Sequence, residues 1–298
     1  MSASASRLLA RTQTAFGDFE KSLHDGYGRP ALIFNSGYHA NTGLVSALAT
    51  KDYTILADKL VHASIIDGIK LSGAPFERFR HNDMQHLALL ADKISRQGRK
   101  LLIIVESVYS MDGDQAPIRE IAAIKRKHEG ALLYVDEAHA VGVEGPGGLG
   151  LVMAMGDHQA DVDVIVGTLG KALGSTGAFA IMDDTLRSWA INRARSFIFS
   201  TALPPVTVEW SKFVFEKSLG MDSERSHLKA LGNALGRKLC NGSNSHIQPY
   251  MLGNPHAAVE MSQALAADGF DVLPIRTPTV PPGTDRLRLS LSAALSID

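Results

Sequence analysis

Three apolar segments constrain the fold of this chain more than any other feature of its sequence. Residues 101–106, 131–136 and 162–168 consist largely of aliphatic and β-branched side chains. Apolar runs of this length are typical of strands that are buried on both faces of a parallel sheet. Because helical patterns alternate with these runs, the sequence predicts an α/β fold with a mostly parallel sheet and helices on both faces.

The length and the later sequence pattern predict two domains of different size. The chain has 298 residues, of which 45% are hydrophobic and 20% charged, as is ordinary for a globular protein. We expect a large ligand-binding domain over residues 1–220 and a small C-terminal α+β domain over residues 221–298. Within the large domain, residues 6–24 are predicted to form an amphipathic helix and residues 197–200 a short strand.

The patterns of charge, cysteine and histidine exclude several classes of function. Lys and Arg together number 30 against 31 Asp and Glu, so we expect no nucleic-acid partner. No apolar run reaches the roughly 18 residues of a membrane helix, and we expect no membrane contact. The single cysteine, Cys240, fits a reducing compartment such as the cytoplasm. The 11 histidines lack the spacing of metal ligands, which predicts no metal site.

Two short motifs suggest nucleotide binding but lack the context that this function requires. Residues 136–139 spell the acidic box of one class of helicases, yet the phosphate loop of that class is absent because Ala172 follows Gly170 and Lys171. Residues 145–150 match the glycine pattern of dinucleotide-binding folds, but they begin about ten residues after a strand rather than in the strand–helix turn. We interpret this second segment as a flexible glycine-rich loop.

The ends of two predicted strands carry side chains suited to cofactor chemistry. Lys171 follows the strand 162–168 between glycines; it could be a surface lysine in a turn, or a desolvated amine of the kind that forms Schiff bases. Asp136 ends the preceding strand, where open α/β sheets bind ligands, although alone it could be a solvated turn residue. A carboxylate beneath a pyridinium nitrogen keeps that ring an electron sink. Together with Thr168 and His139, the pair predicts a site for pyridoxal 5'-phosphate (PLP).

Two further positions have a functional and a structural interpretation. Gly37 and Tyr38 open a predicted helix directly after a strand, which creates either an anion site or a plain helix cap. Arg288 lies in an alternating strand near the end of the chain and is predicted to face away from the core. It could hold a carboxylate through two parallel hydrogen bonds, or simply face solvent.

An ordered set of motifs resembles the α-oxoamine synthases, a PLP-dependent family with the aspartate-aminotransferase-like fold. The resemblance runs through nearly all of the 298 residues. The segments that carry it are residues 35–41, 60–64, 106–114, 136–139 and 167–174. Residues 275–289 are most similar to the members that act in biotin synthesis.

The resemblance implies roles around the PLP ring. Lys171 would hold the cofactor covalently, and Asp136 would pair with the pyridine nitrogen. His62, which could otherwise be a core histidine, would stack on the ring. His139 would hydrogen-bond on the side of the ring hydroxyl, with Ser110 nearby.

The resemblance also implies residues for the phosphate and the substrate. The residues at the phosphate would be Gly37, Tyr38, Thr168 and, reaching the site of a second subunit, Thr201. Thr279 and Arg288 would face the substrate carboxylate, and His62 would also contact the substrate. The family further implies a homodimer whose site lies between the two subunits.

The implied reaction is a decarboxylating condensation of L-alanine with a pimeloyl thioester carried by CoA or an acyl carrier protein. A member of the family that uses glycine is the nearest alternative. A second alternative is a remnant that binds PLP without turnover, because family members carry several dozen residues ahead of the segment that resembles residues 6–8.

Overall fold

The computed structural model describes residues 5–9, 14–239 and 242–297, which form two compact units. The first unit comprises Met1–Ser107 and Ala116–Met221, and the second comprises Val108–Gln115 and Asp222–Asp298. The segment Val108–Gln115 therefore groups with the C-terminal residues. A single division of the chain between residues 220 and 221 does not predict this grouping. Cys240 lies outside the described residues.

The first unit is built on a seven-stranded sheet. Its strands are β1 (Ala31–Phe34), β2 (Tyr53–Asp58), β3 (Phe76–Phe79), β4 (Lys100–Glu106), β5 (Leu132–Asp136), β6 (Val164–Thr168) and β7 (Ala178–Ile181). The spatial order is β1-β7-β6-β5-β4-β2-β3. Only β7 runs antiparallel to its neighbours, which confirms the mostly parallel sheet.

Helices cover both faces of this sheet. They are α1 (Thr14–Tyr27), α2 (Gly37–Leu48), α3 (Ala63–Ser72), α4 (Met84–Ser95), α5 (Ile118–Lys125), α6 (Asp184–Arg193), α7 (Arg195–Ile198) and α8 (Pro205–Ser218), with short 3-10 segments at Pro146–Gly148 and Met153–Asp161. Successive residues of a strand point to opposite faces. Ile103 and Ile104 of β4 are both fully buried, so each face of the sheet lies against other elements, as the apolar runs predict.

The second unit contains a three-stranded antiparallel sheet and two helices. The helices are α9 (Asp222–Lys238) and α10 (Pro255–Ala267), and the strands are β8 (Ile247–Met251), β9 (Leu273–Ile275) and β10 (Arg286–Ser290). Its sheet has the order β8-β10-β9. Among the described residues, no helix combines the length and the apolar character needed to cross a membrane.

Two secondary-structure predictions in the first unit are wrong. The helix predicted from residue 6 is not present at residues 5–9, because Ser6 forms a β-bridge with Thr201 and Ala202 N donates to Ala5 O. The strand predicted at residues 197–200 is instead the short helix α7. Phe197 packs its ring against Phe34 there, with centroids 5.7 Å apart. A four-residue apolar run fits either a strand or one helical turn.

Candidate active site

The carboxyl ends of β5 and β6 bring Asp136 and Lys171 to the same edge of the sheet. The two strands are parallel neighbours in which Asp136 pairs with Val166. Asp136 is the last residue of β5 and is buried, with 5% of its surface exposed. Thr168 ends β6, and Lys171 follows three residues later. Parallel neighbours end at one edge, which makes this edge the candidate site.

The amine of Lys171 is held by His139. The Lys171 Nζ lies 2.7 Å from His139 Nε2. His139 stands in the turn after β5, which the backbone hydrogen bond from Ala140 N to Glu137 O closes at 2.8 Å. The Lys171 side chain is exposed in the single chain, which agrees with the alternative of a lysine in a surface turn and not with that of a desolvated amine. The hydrogen bond to the imidazole, rather than desolvation, positions this amine.

Asp136 is fixed by hydrogen bonds to both carboxylate oxygens. Ala138 N donates to Oδ1 at 2.9 Å, and Asn41 Nδ2 donates to Oδ2 at 2.7 Å. Asn41 also bonds Ser64 Oγ at 2.9 Å, and Ser64 Oγ lies 2.7 Å from His62 Nδ1. The predicted residues Asp136 and His62 therefore belong to one hydrogen-bonded group.

The amino end of α2 lies beside the end of β6. Ser36 caps the helix, because its Oγ accepts a hydrogen bond from His39 N at 3.2 Å. A Cβ added to Gly37 would lie 3.9 Å from Thr168 Oγ1, so the glycine keeps the space beside this hydroxyl open. The N–H groups of Gly37 and Tyr38 belong to the first helical turn, where no preceding helical carbonyl can accept from them. These groups and the Thr168 hydroxyl form a place suited to an anion.

Tyr38 and Thr201 are exposed, and both are attached near this helix end. Tyr38 OH donates to Asp67 Oδ2 at 2.6 Å, and this hydrogen bond lowers the pKa of Asp67. The Thr201 carbonyl accepts from Asn35 Nδ2 at 2.6 Å. Because Asn35 precedes α2 by two residues, this bond ties Thr201 to the loop that presents Gly37.

The remaining predicted residues, Ser110, Thr279 and Arg288, lie in the second unit. Arg288 Nε donates to Ser110 O at 2.6 Å, and its Nη1 donates to Ser290 Oγ at 2.5 Å. Arg288 is half-buried, and this burial lowers the pKa of its guanidinium. Thr279 is exposed. Within this unit the structure thus brings Ser110 and Arg288 together.

The strand pattern of β10 predicts that Arg286 faces away from the core together with Arg288, and this is wrong for Arg286. Arg286 is buried, with 4% of its surface exposed, and pairs with Asp112. Asp112 belongs to the segment Val108–Gln115, which is part of the second unit. The local periodicity of the sequence does not reveal this grouping.

Comparison with known proteins identifies the family. Residues 3–298 match the family model for aminotransferase class I and II. An 8-amino-7-oxononanoate synthase from Chlorobaculum parvum is 45% identical over 100% of this chain and 77% of its own length. Another from Haemophilus ducreyi is 46% identical over 99% of this chain and 79% of its own length.

Two solved structures agree with this assignment. Serine palmitoyltransferase from S. paucimobilis, in a form with bound PLP and myriocin, superposes with a TM-score of 0.93 at 34% identity, covering 99% of this chain and 76% of the other. The 8-amino-7-oxononanoate synthase from Francisella tularensis superposes with a TM-score of 0.82 at 28% identity, covering 95% of this chain and 83% of the other. The chain belongs to the α-oxoamine synthases, within the aminotransferase class I and II family. Its cofactor is PLP, and its fold is the PLP-dependent aminotransferase-like fold.

The site residues of this α-oxoamine synthase fit PLP in four respects. Lys171 offers an amine for the aldehyde carbon of the cofactor. The buried carboxylate of Asp136 is suited to a protonated ring nitrogen, since buried charges need partners. The open space beside Gly37 and Thr168 is suited to the phosphate. The exposed His62, anchored through Nδ1, is available to contact a ring.

Glu106 is a site neighbour that the sequence interpretation missed. It ends β4 as Asp136 ends β5, and the two residues are paired in the sheet. Glu106 is 2% exposed and accepts a hydrogen bond from the His62 backbone. Burial raises the pKa of Glu106 well above its usual range, and the neighbouring Asp136 carboxylate raises it further. The sequence did contain a signal for Glu106, because it is an acidic residue at the end of an apolar run.

Asn41, Ser64 and Tyr134 are further neighbours of the site that the sequence interpretation missed. Asn41 and Ser64 lie inside motifs that carry the family resemblance, but nothing local indicates their contacts. Asn41 and Asp136 are 95 positions apart in the chain. The hydrogen bond between them exists only because α2 packs against the sheet.

Proposed function

We propose that this α-oxoamine synthase condenses L-alanine with a pimeloyl thioester and releases CO₂, to give 8-amino-7-oxononanoate for biotin synthesis. The observation that carries this proposal is the placement of Lys171, His139 and Asp136 at one sheet edge, in a chain that matches curated 8-amino-7-oxononanoate synthases over its whole length. The thioester is carried by CoA or by an acyl carrier protein.

Bound PLP supplies a positively charged heterocycle that stabilises negative charge at the Cα atom of the amino acid. Asp136 would hold the ring nitrogen in its protonated form, and His62 would pack on the ring. Lys171 would hold the cofactor, and its Nζ, once free, would remove the Cα proton of alanine. His139, 2.7 Å from that Nζ, orients the amine for the transfer.

The remaining bond changes occur on the substrates. The alanine Cα forms a bond to the thioester carbonyl carbon, and the thiol leaves. The alanine carboxylate then leaves as CO₂, and the Cα atom regains a proton. We assign Arg288 and Thr279 to the substrate carboxylate, because a guanidinium matches a carboxylate in two parallel hydrogen bonds.

We further propose a homodimer in which Thr201 of each subunit contacts the phosphate bound to the other. The exposed position of Thr201 supports this proposal.

The second candidate is a condensation that uses glycine or serine in place of alanine, since the chain is also 34% identical to serine palmitoyltransferase over 99% of its length.

The test is to incubate the PLP-loaded protein with pimeloyl-CoA and alanine, glycine or serine in turn, and to identify the products by mass spectrometry. We expect 8-amino-7-oxononanoate and CO₂ from alanine, and no product from the Lys171→Ala variant. Product from glycine or serine but not from alanine would contradict the proposed substrate. PLP binding without any product would instead support a remnant that has lost turnover.

A further inference from the structure

Asn41 occupies the centre of a buried group of hydrogen bonds that connects Asp136 with His62. Only 2% of its surface is exposed. Its amide nitrogen bonds Asp136 Oδ2 at 2.7 Å and Ser64 Oγ at 2.9 Å. Its amide oxygen bonds Tyr134 OH at 2.6 Å. All three polar groups of this side chain thus have partners.

The donor and the acceptor of each bond can be assigned. Ser64 N donates to His62 Nδ1 at 3.2 Å, so this ring nitrogen is an acceptor and carries no proton. The Ser64 hydroxyl, 2.7 Å from the same nitrogen, must then donate to it. Its oxygen in turn accepts from Asn41 Nδ2, whose other hydrogen goes to Asp136. Tyr134 donates to the amide oxygen.

This pattern of donors suits an asparagine and excludes its closest substitutes. An aspartate at position 41 would bring a second carboxylate to Asp136, and an aliphatic residue would donate to neither neighbour. The side chain must also fit into a buried space between α2, β5 and the start of α3. A donor that is buried and hydrogen-bonded in this way fixes the orientation of the group that accepts from it.

We infer that Asn41 is a positioning residue: through one amide nitrogen it orients the Asp136 carboxylate toward the PLP ring nitrogen, and through the Ser64 hydroxyl it supports the His62 ring. The inference rests on the proposed role of Asp136 and does not depend on which thioester is used. Asn41 touches no substrate atom in this role.

The test compares the affinity of the protein for PLP with its affinity for 1-deaza-PLP, in which a C–H group replaces the ring nitrogen. Binding is measured by fluorescence titration of the purified protein. Asp136→Asn should weaken PLP binding and leave binding of the analogue nearly unchanged, because only PLP has the nitrogen that the carboxylate contacts. Asn41→Leu should show the same selective loss, about tenfold to a hundredfold by analogy with the loss found when a hydrogen-bond partner of a metal ligand is removed.

Two further variants keep the test decisive. Tyr134→Phe removes one hydroxyl at the far side of Asn41 and should give the same selective loss at a smaller size, even if Asn41→Leu does not fold. Ser46→Ala is the matched control on α2, because its hydroxyl bonds Thr42 O at 2.6 Å, one turn further along the helix. This control should bind PLP and the analogue as the wild type does.

The outcomes separate the two proposals. The role of Asn41 would be overturned if the Asn41 and Tyr134 variants lost affinity for PLP and for the analogue equally, or lost affinity for neither ligand. In that case Asp136→Asn would still show its selective loss of PLP affinity, and the role of Asp136 would stand. If Asp136→Asn also fails to discriminate between the two ligands, the assignment of Asp136 falls together with that of Asn41.

Discussion

Two buried carboxyl groups, Glu106 and Glu137, lie next to the site residues without a part in the proposed proton transfers. Glu106 neighbours Asp136 in the sheet, and Glu137 follows it in the chain. Glu137 is fully buried, and its Oε1 accepts from Leu151 N at 2.8 Å and Val152 N at 3.2 Å. It thereby anchors the end of the glycine-rich segment that follows the site histidine.

We predict that Glu137 makes the protein less stable as the pH rises. Burial raises the pKa of Glu137 from 4.5 to about 7. The folded state therefore holds this proton over a range in which the unfolded state has lost it. The stabilisation is complete below about pH 4.5 and is lost as the pH rises through about 7. The expected change in the free energy of unfolding is roughly 3 kcal/mol.

The measurement is the melting temperature of the wild type and of Glu137→Gln between pH 5 and pH 8. The amide keeps the size of the side chain and an acceptor for the two backbone N–H groups but cannot ionise. The melting temperature of the wild type should fall relative to that of the variant across this range. Parallel curves for the two proteins would show that the carboxyl group does not titrate in the way described.

At the scale of the elements, the contact between α2 and α3 supports the site. Gly68 makes their close approach possible, because a Cβ at this position would lie 2.9 Å from Asn41 O and from Val45 Cβ. These helices carry Asn41 and Ser64, whose side chains bond each other at 2.9 Å. The separation of the two helices therefore governs a bond within the site.

We predict that Gly68→Ala destabilises the protein by about 1–3 kcal/mol, as expected when a methyl group is forced into a packed contact. The control is Gly17→Ala in α1, where a Cβ would meet nothing within 4 Å. Since alanine is the better helix former, this control should stabilise the protein by up to about 1 kcal/mol. Chemical denaturation of both variants tests the pair, and equal effects at the two positions would contradict the packing explanation.

The sequence predicts most reliably the strands that are buried against apolar residues on both faces. The strands that end at Asp136 and Thr168 are apolar on both faces, so the local pattern alone indicates them, and the lysine and carboxylate at their ends indicate the cofactor. The short helix α7 has no such signal, because Phe197 is ordered by contact with Phe34 from a distant strand. Arg286 is likewise buried by Asp112 from another part of the chain. Asn41 could not be assigned for the same reason, since its function depends on partners far along the sequence.

At the scale of the whole molecule, the proposed dimer predicts that a subunit lacking Lys171 and a subunit lacking the Thr201 hydroxyl can complement each other. The chain has a mass of 32.0 kDa, so sedimentation should give twice this value. Each site takes Lys171 from its own subunit and Thr201 from the other. In a mixed dimer, the site on the Thr201→Ala subunit therefore has its own intact Lys171 and an intact Thr201 from the Lys171→Ala subunit. Random exchange of the subunits should then restore roughly a quarter of wild-type activity.

The complementation assay is performed after the two purified variants have been mixed and allowed to exchange, with each variant alone as its control. Activity equal to the mean of the two parent proteins would contradict a shared site. A protein that sediments as a monomer and still retains PLP would contradict the dimer requirement itself.

The position of β7 has a consequence for how this chain folds during its synthesis. Strand β1 joins the sheet only through β7, although residues 35–177 separate the two strands along the chain. The loop that follows β1 therefore cannot settle beside β6 until the ribosome has released the chain beyond Ile181. Such long-range pairing is slow to form. We therefore expect PLP to bind only after β7 has been synthesised, since the proposed phosphate contacts of Gly37 and Tyr38 depend on the pairing of β1 with β7.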